Sequence, residues 1–395
     1  MNVNGKIIQI AGSAGRKSKF TGGVIPFSRI VYAHILVKEI VDSLYRKGAN
    51  FLIQVGGEPA LDERGQKISG VFDWTIAEKI STLVNSAQDS VVRDKMSPLY
   101  TVTSQRAIEK IPESRETLWK LLVEKSLIEV HLLPQGVDSG AARRSHQARV
   151  GDILIVVSGG EGVEHLANEY VRLGKTVIPL DIDVGSSSGD GNGGGSYLWK
   201  KMLSCSSQFF ETRNEASCSS ILMKMRTKSG TSPPFGVANA ISDLLDNLVP
   251  PTVFYVRLLD QRNEEFQDVE NFFREVVDPF VVELGFSKKE MGSTENRNFW
   301  LNEEIFEGIN KSTIQIVDLT GNRGNCLVEF GFVLALGRTF VLSAKKGTKL
   351  PFDLSTVDCF FWDNEQSSIE KKRKLVEYWK RNRLRSPIIK VVDRL

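Results

Sequence analysis

STIQIVDLTGNRGNCLVEFGFVLALGRTFVLSAKKG, residues Ser312–Gly347, decides the fold of the second half of this chain. Thr313–Leu319 is a short apolar run rich in β-branched residues, and it reads as a buried strand. Gly321-Asn322-Arg323-Gly324 breaks it. Asn325–Leu336 is long enough for about three helical turns and ends at Gly337, a natural cap. Thr339–Ala344 is a second buried strand. The result is a β-α-β unit whose Asp318–Asn325 loop lies at the carboxyl end of its first strand. Ligands of open parallel sheets bind at that end.

One residue of the helix is out of place. Glu329 is the only charge between Cys326 and Gly337. A helix apolar on every face is normally buried. A lone buried carboxylate costs several kcal/mol unless it is paired, hydrogen-bonded or protonated. The helix dipole returns only about 0.3–1 kcal/mol. Two readings stand: a structural Glu paired with Arg323, Arg338 or a backbone amide, and a carboxylate at the mouth of a ligand pocket.

These residues also carry a resemblance. Asp318-Leu319-Thr320, Asn322, Asn325, Glu329-Phe330-Gly331, Ala335-Leu336-Gly337-Arg338 and Pro351-Phe352-Asp353-Leu354 look like a bacterial nucleotide-binding domain. That domain is similar to nucleoside 2-deoxyribosyltransferases and, more distantly, to TIR domains. The resemblance covers about Thr252–Asp363. Gly324, Cys326 and Val333 depart from it, standing where Pro, Val and Ala are usual. It implies cleavage of an N-glycosidic bond in a nucleoside, a nucleotide or NAD, without a metal or added cofactor. Glu329 would be the catalytic carboxylate, with Asp318 and Asn325 orienting ribose or base. Thr320, Gly321 and Asn322 would hold a phosphate. Arg257 and Asp260, at the end of the strand Thr252–Leu258, share this sheet edge and join the substrate-binding set.

Bulk numbers set the frame. At 395 residues two domains are expected. A hydrophobic fraction of 41% with 25% charged residues is ordinary globular composition. A net charge of +3 does not argue for nucleic acid. Cys205, Cys218, Cys326 and Cys359 show no metal-ligand spacing and read as reduced thiols of a cytoplasmic protein. No apolar run suits a bilayer, and the N-terminus is not a signal peptide.

The first half repeats the strand-glycine-helix theme. Lys6–Ile10 runs into Gly12-Ser13-Ala14, and Phe51–Val55 runs into Gly56-Gly57-Glu58. Asp152–Val157 stops at Ser158-Gly159-Gly160-Glu161-Gly162-Val163 before a helix. Such a junction admits an anion to backbone amides at a helix N-terminus, or is simply a compact turn. Together with the strand Val177–Leu180, these motifs resemble a SLOG domain, the Rossmann-like relative of Lonely Guy nucleotide hydrolases, over about Lys6–Leu203. Those hydrolases carry P-G-G-x-G-T-x-x-E. Ser158, Val163 and Leu166 replace its Pro, Thr and Glu. The resemblance therefore implies binding of a nucleotide signal rather than its cleavage, with Gly12, Ser13, Ala14, Gly56, Gly57, Glu58, Ser158, Gly159, Gly160, Gly162 and Val163 as the site.

Arg16, Lys17 and Lys19 read as a solvated loop or a phosphate clamp, and Gly185–Gly195 as a flexible tip or a lid. His34, on the apolar face of a helix, reads as a satisfied core residue. The basic C-terminal helix Gln366–Arg385 reads as a solvated face rather than a nucleic-acid surface. The expected architecture is α/β, with two Rossmann-like or flavodoxin-like domains whose parallel sheets are flanked by helices. A SLOG-like domain over 1–203 would be followed by a helical connector over 204–249 and the deoxyribosyltransferase-like domain over 250–395. The expected function is a signal-gated nucleotide or NAD glycosidase in anti-phage defence, working as a homo-oligomer. A non-catalytic paired sensor and a salvage deoxyribosyltransferase or hydrolase are the competing readings.

Overall fold

The structure is a computed structural model that describes residues 1–15, 23–63, 65–86, 97–134, 139–185, 194–226, 232–289, 301–354 and 356–383. The chain divides into two compact units, Met1–Val249 and Pro250–Leu395.

The first unit is built on strands β1 (Ile7–Ser13), β2 (Asn50–Ile53), β5 (Leu99–Thr103), β6 (Ile128–Leu132), β7 (Ile153–Ser158) and β8 (Thr176–Pro179), with β3 (Ala60–Glu63) and β4 (Gln66–Ser69) forming a separate hairpin. The six-stranded sheet has the order β6-β5-β2-β1-β7-β8 and every pairing in it is parallel. Parallel sheets are covered on both faces, so their strands are continuous apolar runs. Phe51–Ile53 and Ile153–Val157 are accordingly buried along their whole length. The chain works outward from β1 through β2, β5 and β6, then returns to place β7 on β1's other side. The crevice beyond the carboxyl ends of β1 and β7 is therefore a topological switch point, where this class of sheet takes ligands.

Residues 204–249 are not a separate connector. The helix Pro234–Asn247 contributes Val237, Ala238, Ile241, Leu244 and Leu245 to the same core as Ile30, Val37 and Val41 of the helix Phe27–Arg46. The stretch before it is tied to β8 by the backbone bond from Val177 N to Phe209 O, 3.0 Å. An amphipathic helix with that much apolar surface finds its partner inside the unit rather than spanning two. Buried His34 is satisfied, with Nδ1 2.7 Å from Thr75 Oγ1 and Nε2 2.9 Å from Ser69 O. Arg16, Lys17, Lys19 and positions 186–193 of the glycine-rich stretch lie outside the described residues.

The second unit has strands β9 (Thr252–Val256), β10 (Ser287–Lys289), β11 (Ile314–Asp318), β12 (Thr339–Lys345) and β13 (Phe360–Trp362), all parallel in the order β10-β9-β11-β12-β13. This is the flavodoxin-like order, and its switch point falls between β9 and β11. The aromatic stripe Val269, Phe272, Phe273, Val276, Val277 and Phe280 is core. Its helix is interrupted by a π-turn at Phe273–Val277, just before Pro279, which supplies no N–H. On the C-terminal helix Ser368–Asn382, Lys371 is buried, Lys372 pairs with Glu283, and Arg373 and Lys374 pair with Glu370. Much of that basic face is thus neutralised. No described helix is long and apolar enough to cross a membrane.

Candidate functional site

The helix Gly324–Ala335 follows β11 and stops at Gly337, whose φ of 61° ends it in the left-handed conformation. It buries only Cys326, Phe330 and Val333, while Val328 is 65% exposed. The expectation of burial on every face fails because this helix covers one side of the sheet edge and leaves the other open. Glu329 sits between these sides, half-buried, and among the described residues no donor or cation pairs with it. The structural Glu paired with Arg323 or Arg338 is therefore not what the fold contains: Arg323 pairs with Asp260 at 3.2 Å, and Arg338 bonds Asn310. Burial without compensation pushes the Glu329 carboxyl up to about 7. The neighbouring Cys326 thiol is pushed up to about 12 by its own burial and then by Glu329 and Asp318.

The residues expected beside Glu329 divide. Asp318 ends β11 fully buried, and its carboxylate accepts from Thr320 N at 3.0 Å, Ser343 Oγ at 2.8 Å and Trp362 Nε1 at 2.9 Å. Burial raises its pKa and those donors oppose the rise. Asp318 thus ties β11, β12 and β13 together, with its carboxylate committed to donors of the protein itself. Thr320 is buried with its hydroxyl accepting from Lys345 N at 2.8 Å, so it has the same structural role. Arg257, pinned to Glu270 at 2.6 Å and stacked 4.9 Å from the Phe273 ring centre, points into packing. Asp260 and Arg323 join the loops after β9 and β11 across the switch point. Gly321 takes a φ of 75°, and Asn322, at 47°, donates from Nδ2 to Lys349 O. Asn325 is exposed in the first helical turn. Glu329 and Asn325 remain as the uncommitted polar groups of the expected catalytic set.

The first unit holds a cavity of about 300 Å³ at its switch point. Its lining includes Gly12 and Ser13 from β1, Gly56 and Gly57 after β2, and Gly160, Gly162 and Val163 after β7. Ala14, Glu58, Ser158 and Gly159 do not line it. Ala14 N donates to Gly70 O at 2.9 Å, and Glu58 is held by Arg115 at 2.7 and 2.8 Å. Ser158 Oγ donates to Gly185 O at 2.8 Å and accepts from Val184 N at 3.1 Å. Gly12 is glycine for packing, since a Cβ there would lie 1.9 Å from Val157 O.

The cavity's chemistry comes chiefly from residues that the motifs did not indicate. Arg143, Arg144 and Gln147 line it from the helix Gly140–Val150. Gln147 is 1% exposed, yet among the described residues its Nε2 has no partner, and neither does the buried Arg143 Nε. Arg144 is held by His165 Nδ1 at 3.2 Å, and its Nη1 would lie 3.4 Å from a Cβ at Gly162. That guanidinium therefore stands at the start of the helix Glu161–Arg172. Glu161 and Glu164 already occupy that helix's first turn, so attraction for an anion rests mainly on the arginines. Across the cavity stands Asp73, whose Oδ1 accepts from Gln54 N at 2.7 Å. Burial pushes Asp73 up to about 6, against those backbone bonds and Arg143. The adjacent arginines of the Ser139–Arg149 segment were the one available sequence signal.

Fold and cavity together define a Rossmann-like α/β unit with an anion-suited site at its switch point. A sequence model of the family "ATP nucleosidase Cap17-like, N-terminal" matches residues 3–246, more than half of the chain, and the chain belongs to that family. The ATP nucleosidase Cap17 of Escherichia coli strain KTE188 is 25% identical over 193 residues, 49% of this chain and 35% of that protein. A second Escherichia coli Cap17 matches with the same figures. The match thus spans about a third of the length of these curated relatives. The solved structure of the Clostridium botulinum CMP N-glycosidase BcmB aligns at 16% identity, covering 32% of this chain and 98% of its own, with a TM-score of 0.23. A TM-score that low does not establish a shared fold.

Proposed function

We propose that this protein is a nucleotide N-glycosidase of the anti-phage type, which releases the base from NAD or another nucleotide through Glu329. Its first unit would take a nucleotide that governs the reaction. The observation that carries this is the isolation of Glu329: a half-buried carboxyl with no described partner, at the ligand edge of a flavodoxin-like sheet. Departure of a base leaves an oxocarbenium-like sugar, which a carboxylate beside the anomeric carbon stabilises or captures. A carboxyl poised at about 7 is available in both protonation states near neutrality. Exposed Asn325 stands one turn before Glu329 and would orient the sugar. The activity named for the relatives, ATP nucleosidase, concerns the same bond class, and the family match lies in residues 3–246, the first unit.

A paired sensor without catalysis is the second reading. It is favoured by the commitment of Asp318, Thr320 and Arg257 to internal bonds, which leaves Glu329 with little catalytic company. Incubating the full chain with NAD, ATP, CMP and deoxynucleosides and separating free base by chromatography discriminates the two. Release that is lost in Glu329→Gln supports the glycosidase, and no release under any condition supports the sensor.

A further inference from the structure

The cavity of the first unit is polar at both ends, and the two ends carry opposite charge. Arg144, Gly160 and Gly162 stand beyond β7, whereas Gln54, Gly56 and Asp73 stand beyond β2, with β1 between them. Two strand spacings separate those ends by about 10 Å. An anion is drawn to the arginine end and repelled from Asp73. Asp73 accepts from Gln54 N and from its own N–H, and among the described residues no side chain donates to it. A carboxylate offers about four acceptor positions, so it has capacity for hydroxyl donors from a ligand. Gln147 Nε2 and Arg143 Nε, on residues that line the cavity, are buried donors with no partner among the described residues and so can serve a polar ligand.

We propose that this cavity recognises a ribonucleotide by its two ends, with phosphate on the Arg144–Gly162 side and the sugar hydroxyls on Asp73. A ribose 5′-phosphate with a hydrogen bond of about 2.8 Å at each end fills the span. Asp73 is then the residue that separates ribose from deoxyribose, because a site built to bond a hydroxyl rejects the analogue lacking it. An N–H donor on a base could also reach the carboxylate, but it would be indifferent to the sugar. The proposal rests on the first unit being a nucleotide site and is independent of glycosidase chemistry in the second.

The test is calorimetry on the full chain carrying Glu329→Gln, with AMP, 2′,3′-dideoxy-AMP and inorganic phosphate as probes. Gly160→Asp in the same background identifies the heat that belongs to this cavity. AMP is expected to bind at least tenfold more tightly than the dideoxy nucleotide, and Asp73→Asn, which keeps the side chain's size and an oxygen to accept from Gln54 N, is expected to reduce that ratio below about threefold. Equal affinity for the two nucleotides overturns the proposal. So does an undiminished ratio in Asp73→Asn, or the absence of saturable nucleotide binding. If Asp73→Asn does not fold, the comparison of the two nucleotides still decides. Base release by Glu329→Gln would instead count against the catalytic role of Glu329 and leave this binding result intact.

Discussion

Replacing Glu329 with Gln should make the second unit more stable at alkaline pH, because the native carboxylate sits in a site that does not favour its charge. Burial moves the carboxyl from its ordinary 4.5 to about 7 in the folded chain. Between those values the folded state binds more protons than the unfolded one. Stability is therefore greatest below 4.5 and falls as pH rises through 7. At about 1.4 kcal/mol for each tenfold change, the full effect has a ceiling near 3 kcal/mol. The side chain is only half-buried, and solvent screening reduces this to about 1–2 kcal/mol. Gln keeps the volume and removes the charge. The variant should match the wild type at pH 4–5 and exceed it by about 1–2 kcal/mol at pH 8, or roughly 3–6 °C in melting temperature. Thermal unfolding of both chains across this pH range measures the difference. A variant that is less stable at pH 8, or a gap that does not change with pH, would mean that Glu329 has a partner and that the carboxyl is structural.

Three further outcomes follow from the same geometry. Asp318→Ala orphans three buried donors and should cost about 3–4 kcal/mol in urea unfolding, whereas Asp318→Asn should cost about 1–2; near-neutral Asp318→Ala would refute the knot between β11, β12 and β13. Gly160→Asp places negative charge at the arginine end of the first cavity, where the glycine's φ of −123° tolerates any side chain. Phosphate and nucleotide binding should fall more than tenfold with the melting temperature kept; unchanged binding would move the site elsewhere. Ligand in the first cavity should raise turnover of the full chain and change its mass in solution. A shift from 1:99 to 99:1 active needs about 5.5 kcal/mol of differential affinity. Equal turnover of wild type and Gly160→Asp at every ligand concentration would contradict gating.

Strand-glycine-helix patterning located the sheets well, since buried parallel strands are unbroken apolar runs and glycine stops them. Ile153–Ser158 and Ile314–Asp318 both lie where that pattern places them. The isolation of Glu329 was also legible, as a lone charge in an apolar helix. Hydrogen-bond partners were not. Asp318 looks like a ligand residue by position, but its donors Ser343 and Trp362 lie 25 and 44 residues away. Glu58 looked free beside a glycine pair, and its partner Arg115 is 57 residues on. Asp73 carries no local signal of its place, because nothing near it in the sequence shows that its helix begins at a cavity wall. Residues 204–249 looked like a connector because the apolar face of Pro234–Asn247 finds its partner about 200 residues earlier, in Phe27–Arg46.

The central claim is that Glu329 carries N-glycosidic cleavage, and one measurement tests it most directly. Wild-type and Glu329→Gln full chains are incubated with NAD, ATP and CMP, with and without a nucleotide that saturates the first cavity, and free base is quantified by chromatography. The account predicts base release by the wild type, strongest with the first cavity occupied, and a loss of at least about a hundredfold in Glu329→Gln with the fold retained. Equal release by both chains would contradict it.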